Sequence, residues 1–106
     1  MHTPDTNLIN LALQHWPTQA RPYRRGKVLY WQGDPVEHLF VIQKGAVKIS
    51  SLSTEGKIYS HGILGSGHLL GAADYFLVGI LETTAEVVVH SVLLVVTLED
   101  FQDVIA

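Results

Sequence analysis

The residues best placed to hold a ligand lie in Gly65-Ser-Gly-His-Leu-Leu-Gly-Ala-Ala-Asp-Tyr-Phe76, where three glycines fall within seven residues. Glycine tolerates positive φ and lets a ligand or another backbone come close, so a glycine-rich bend between strand-like segments is a natural binding loop. The charges that could act on a ligand there are unevenly spread. All seven Lys and Arg residues lie between Arg21 and Lys57, whereas six carboxylates follow Lys57: Asp74, Glu82, Glu86, Glu99, Asp100 and Asp103. A buried phosphate needs a charge-assisted or bidentate partner, and removing one from a buried pair costs on the order of 3–5 kcal/mol. Backbone amides of a glycine-rich loop offset only part of that.

Uncharged chemistry is the other option at this loop. Ala72, Ala73, Thr83 and Thr84 are small enough to line a modest apolar pocket with Ile49, Leu64 and Gly71. Equally, Ala72 and Ala73 can simply pack a short helix over 72–77 against a sheet. The six histidines, His2, His15, His38, His61, His68 and His90, form no His-x-His pair and have no Glu at metal-ligand spacing. A lone strand histidine is more often solvated or satisfied by backbone than a ligand, but His61 and His68 stand closest to the loop. No Ser/His/Asp arrangement is visible. With no cysteine, disulfides, thiol switches, Cys-ligated iron–sulfur clusters and Cys-based zinc sites are excluded.

The elements that must position these residues are mostly strands. Lys27–Trp31, Leu39–Gln43, Ala46–Leu52, Lys57–Leu64, Thr83–His90 and Val92–Leu98 are rich in Val, Ile, Leu and Tyr, with punctuation at Gly33-Asp-Pro35, Lys44-Gly45, Thr54-Glu-Gly56 and Gly65–Gly67. Thr54-Glu-Gly predicts a hairpin turn with Gly56 at positive φ. Helical crossovers between the strands are absent, which argues against a parallel α/β sheet. The expected fold is mainly β, a double-sheet antiparallel roll of the jelly-roll or cupin-like kind. An amphipathic helix over 3–16, carrying Leu8, Ile9, Leu11, Ala12 and Trp16, leads into it and stops at Pro17. At the other end Thr97 and Asp100 predict a helix start of capping-box type, and the apolar pattern runs to the last residue. That pattern leads us to expect a piece of a longer protein.

Composition sets the outer limits. The 106 residues suit one domain spanning 1–106, and 47% apolar with 16% charged residues describes a globular chain. A net charge of -3 gives no general reason to expect nucleic acid or an anionic membrane as partner. The basic cluster Arg21, Arg24, Arg25 and Lys27 reads as a solvated edge where the chain enters the roll. No targeting signal or membrane-length apolar run is present, so a cytoplasmic location is expected.

The ordered signals Gly26-Lys-Val-Leu, Gln32-Gly-Asp-Pro35, Leu39-Phe-Val-Ile-Gln-Lys-Gly-Ala-Val-Lys48, Glu55-Gly-Lys57, Gly67-His-Leu-Leu-Gly71 and Leu98-Glu-Asp-Phe101 resemble the N-terminal cyclic-nucleotide-binding-like β-roll of the Crp/Fnr family of bacterial transcription regulators. The resemblance covers roughly 20–106. It implies an effector-sensing domain, with a dimer helix and a DNA-reading helix-turn-helix module that this chain does not contain. It further implies a homodimeric parent and DNA contact through the missing module only; with no cupin metal motif and no Ser/His/Asp arrangement, enzymatic activity is not expected. Cyclic-nucleotide binders of the family place a Gly-Glu pair in the loop, with the Glu on the ribose hydroxyl, and an Arg followed by Ser or Thr on the cyclic phosphate. At the matching positions this chain has Gly71-Ala72 and Glu82-Thr83-Thr84. Cyclic AMP in the usual mode is therefore not expected, and the cofactor is left unknown. Some members of the family bind haem through a β-roll histidine, which makes His61 or His68 an alternative; a stand-alone cupin-like enzyme is another, although its metal motif is absent.

Overall fold

The computed structural model describes residues 14, 19–72, 74 and 79–105. Eight strands form: β1 (Gln19–Tyr23), β2 (Val28–Tyr30), β3 (His38–Lys44), β4 (Val47–Leu52), β5 (Ile58–Leu64), β6 (Leu69–Leu70), β7 (Thr84–Val87) and β8 (Ser91–Thr97), with helix α1 (Leu98–Ile105) after them. They assemble into two four-stranded antiparallel sheets, β1-β8-β3-β6 and β2-β7-β4-β5. This is the expected double-sheet roll. Of the helix expected over 3–16, only Gln14 falls among the described residues, and it is helical.

Apolar burial explains why the sheets face each other. Leu39, Val41, Ile42, Val47, Ala85, Val87, Leu93, Leu94 and Val96 are all fully buried, and Phe101 of α1 closes over them. Fully burying one such aliphatic side chain contributes about 1.5–3 kcal/mol. Strands β3 and β8 lie side by side in the first sheet, so their near-continuous apolar runs supply most of this core.

Two strands escaped the sequence pattern. Strand β1 has the sequence Gln-Ala-Arg-Pro-Tyr, which lacks alternation, but it pairs with β8 from Gln19↔Val95 to Tyr23↔Ser91. It sits at the sheet edge, where Pro22 costs no ladder bond. Strand β6 is only two residues long and is held by Phe40↔Leu70 and Val41↔Leu69.

The β4–β5 hairpin turns as expected. Gly56 has φ 84°, its N–H donates to the Ser53 carbonyl at 3.0 Å, and the Ser53 hydroxyl accepts from the Lys57 N–H at 3.1 Å. The start of α1 is also as expected: the Thr97 hydroxyl accepts from the Asp100 N–H at 3.1 Å.

The strictest requirement for glycine falls between β3 and β4. Gly45 has φ 115°, and a Cβ there would sit 2.0 Å from Ser91 Oγ and 2.7 Å from Ser91 Cα. Ser91 is fully buried; its hydroxyl accepts from the Ala46 N–H at 3.1 Å and donates to the Val89 carbonyl at 2.7 Å. One residue without a side chain and one small polar residue thus fasten the two sheets at their crossing.

Candidate effector site

Register decides which residues of the second sheet look into the roll. Val47 pairs with Val87 and Ile49 with Ala85, and Val47, Val87 and Ala85 are buried, so the inner face of β4 continues through Ile49 to Ser51. The outer face carries Lys48, Ser50 and Leu52. A bulge interrupts β5: Ile49 pairs with Gly62 but Ser50 pairs with Ser60, leaving His61 as the extra residue. The bulge turns Tyr59, opposite Ser51, to the inner side. It also brings His61 Nε2 to 2.7 Å from Ser51 Oγ. Beyond Gly62, the hairpin formed by β4 and β5 projects as an exposed flap.

The sequence-predicted site residues separate into three groups. Ile49, Leu64 and Ala72 are half-buried and pack against the core, and none of them lines the cleft beside Glu82. Gly71 turns the chain before Ala72 with φ 97°, and a Cβ would approach Leu39 Cδ2 at 3.2 Å. Thr83 hydrogen-bonds the Tyr30 hydroxyl. Thr84 does not join them. It pairs with Ser50 on the outward face, one residue out of phase with buried Ala85, and its hydroxyl accepts from the Gln32 N–H at 2.9 Å. Expecting Thr84 in an inner pocket beside Ile49 was therefore wrong about the face. Ala73 lies outside the described residues.

A cleft of about 520 Å³ opens between the flap and the segment before β7. Ser51, Leu52, Ser53 and Tyr59 line one side, and Ile80, Leu81 and Glu82 the other. Glu82 is exposed, and no Lys or Arg is among the described lining residues. Behind it, burial pushes the Tyr30 phenol above its usual pKa; the Thr83 hydrogen bond opposes that shift and the nearby Asp74 carboxylate adds to it. The electrostatics on this side are those of carboxylates and neutral hydroxyls. Sequence reasoning missed Ser51, Tyr59 and Tyr30. The period-2 spacing from Ile49 to Ser51 could have flagged Ser51, but only the bulge orients Tyr59.

The two histidines near the loop each have a ring nitrogen engaged. His68 is half-buried and donates from Nδ1 to the Gly65 carbonyl at 3.0 Å, which leaves Nε2 as its basic nitrogen; His61 is tied to Ser51. Among the described residues no group of three or more His, Asp or Glu side chains is arranged to hold a metal ion. The basic cluster is exposed along β1 and the turn after it, with the Arg21 guanidinium donating to the Gln19 side-chain carbonyl at 2.8 and 3.1 Å. No helix among the described residues is long and apolar enough to cross a membrane.

Comparison with known proteins places this geometry. The model of the cyclic nucleotide-binding domain family matches residues 20–106. The chain is 29% identical over 93 residues to the cyclic AMP receptor protein of Thermus thermophilus, covering 88% of this chain and 42% of that one. It is 33% identical over 55 residues to the global nitrogen regulator of Synechococcus elongatus, covering 52% and 25%. The crystal structure of the Thermus thermophilus catabolite activator protein superposes with a TM-score of 0.79 at 28% identity, over 98% of this chain and 48% of that one. The chain therefore spans less than half the length of each of these relatives. With its two-sheet roll, its glycine turn at Gly71 and a match over 20–106, the chain belongs to the cyclic nucleotide-binding domain family, in its Crp/Fnr-like branch.

Proposed function

We propose that this chain is the effector-sensing domain of a Crp/Fnr-type transcription regulator and that it does not take cyclic AMP in the usual mode. On this reading a small molecule bound between flap and roll shifts a two-state equilibrium of the parent homodimer, and output modules beyond this domain contact DNA. The domain itself catalyses nothing.

One observation carries the negative half of the proposal. Ala72 stands where the resemblance implies a ribose-binding Glu and Glu82 or Thr83 where it implies a phosphate-binding Arg, and the cleft beside Glu82 has no Lys or Arg among its described lining residues. A cyclic phosphate there would lie beside the exposed Glu82 carboxylate, with no Lys or Arg among the described lining residues to offset its charge.

A haem- or metal-based sensor is the second reading, favoured by His68. Its Nδ1–H is anchored on a backbone carbonyl, the arrangement that commonly orients a histidine ligand.

A thermal-shift screen with cyclic AMP, cyclic GMP, haem and 2-oxoacids tests both readings. A true ligand at 100 times its dissociation constant adds about 2.7 kcal/mol of stability. The proposal expects no such gain from cyclic AMP and a gain from another class. Stabilisation by cyclic AMP alone would overturn it.

A further inference from the structure

The outward face of the second sheet carries a groove that adjoins the effector cleft at Gln32, Gly33, Ser51 and Leu52 and extends away from it. Three hydroxyl residues form its floor in one row across three strands: Thr84 pairs with Ser50, and Ser50 pairs with Ser60. One side is the Lys48–Glu86 ion pair, with Nζ 3.8 Å from Oε1. The other side is apolar, made by Leu52, Ile58 and Trp31, which are 54%, 76% and 60% exposed. With Gln32, Gly33 and Ser51 these residues line an open groove of about 630 Å³, within the usual size of small-molecule sites.

Trp31 is held in place rather than loosely displayed. The next residue, Gln32, clamps the end of β4 through its side-chain amide, accepting from the Leu52 N–H at 2.6 Å and donating to the Leu52 carbonyl at 3.1 Å. Its own N–H donates to the Thr84 hydroxyl. These three bonds fix the backbone that presents Trp31 to two strands of the sheet.

From this we propose that the groove binds a neutral, polyhydroxylated ring, a carbohydrate or related polyol. Charge complementarity selects that class. The one cation and one anion in the lining already face each other, so the site offers no net charge to an ionic ligand. It does offer donors and acceptors along the floor and on its ion-pair side. The Ser50 and Ser60 hydroxyls donate and accept, Thr84 keeps its O–H as a donor, Lys48 donates and Glu86 accepts. The apolar face of a sugar ring would lie on the indole and on Ile58, while its hydroxyls met the floor.

The test is a titration of the ¹⁵N-labelled 106-residue chain with cellotetraose, maltotetraose and chitotriose, followed by NMR. The chain has two tryptophans, so Trp31→Phe assigns the indole signal. The proposal expects saturable movement of the Trp31 indole by at least one sugar, with a dissociation constant at or below about 1 mM. It also expects a loss of about tenfold or more in Trp31→Ala, and a similar loss in Ser60→Val, which fills the exposed floor of the groove without touching the core. No saturable shift with any of the three sugars would overturn it. So would concentration-dependent self-association that buries Trp31, since the groove would then belong to a second copy of the chain.

Discussion

Strands β3 and β5 are both seven residues long, and the contrast between them divides the work of the molecule. In β3, His38–Lys44, the four consecutive residues from Leu39 to Ile42 are buried and both neighbours in the sheet are present. In β5, Ile58–Leu64, six residues are exposed, one edge is unpaired and a bulge breaks the register at His61. The first sheet stores stability and the flap forgoes it. A hairpin strand that contributes little to the core can adjust locally without unfolding the roll, and β4 and β5 carry Ser51, His61 and Tyr59 on one side of the cleft, with Glu82 on the other.

The largest effect that would sharpen this contrast is expected at the fastening between sheets. Gly45→Val should cost about 4 kcal/mol or more, because its Cβ meets Ser91 backbone and φ is unfavourable for a branched residue. Urea denaturation with an unchanged m-value would confirm it, and a loss under about 1 kcal/mol would show that the two sheets slide more freely than the packing implies. Next comes Leu93→Ala in β8, expected to cost about 3 kcal/mol by leaving a cavity in the core. A stability change small enough to match a flap variant would break the division between the two regions.

Tyr30 lies at the boundary, with a smaller and pH-dependent contribution. Burial raises its pKa in the folded state above the unfolded value of 10.0. Below that value both states hold the proton and the folded state keeps its full stability. As pH rises through the unfolded pKa toward the folded one, only the unfolded state ionises, and stability falls. Melting temperatures measured from pH 8 to 11 should therefore drop less steeply for Tyr30→Phe, which at neutral pH costs about 1 kcal/mol for the lost Thr83 hydrogen bond. Equal alkaline slopes would place the phenol in solvent. Smallest of all, Ile58→Thr on the flap should change stability by no more than about 0.5 kcal/mol.

The same contrast explains what could be read from the residues alone. The buried strands announced themselves through runs such as Leu39-Phe-Val-Ile and Val92-Leu-Leu-Val-Val, and the hairpin at Gly56 and the cap at Thr97 follow from local chemistry. Strand β1 was hidden because Gln-Ala-Arg-Pro-Tyr has no strand character of its own; β8 imposes it through pairing. At the site, the small size of the residues around Gly71 and the lack of Lys and Arg after Lys57 can be read directly, since charge and size are properties of residue type. The face of Thr84 was not, because it depends on the register with Ser50. Tyr59 needed the bulge at His61, which no period-2 pattern reveals.

The central claim is that the cleft beside Glu82 lacks the chemistry to hold a cyclic phosphate. Isothermal titration of cyclic AMP into the chain and into an Ala72→Glu, Glu82→Arg double variant tests it most directly. The expected result is no saturable heat from the unaltered chain and measurable binding by the double variant. Saturable binding to the unaltered chain, left unchanged by the Glu82→Arg substitution, would contradict it.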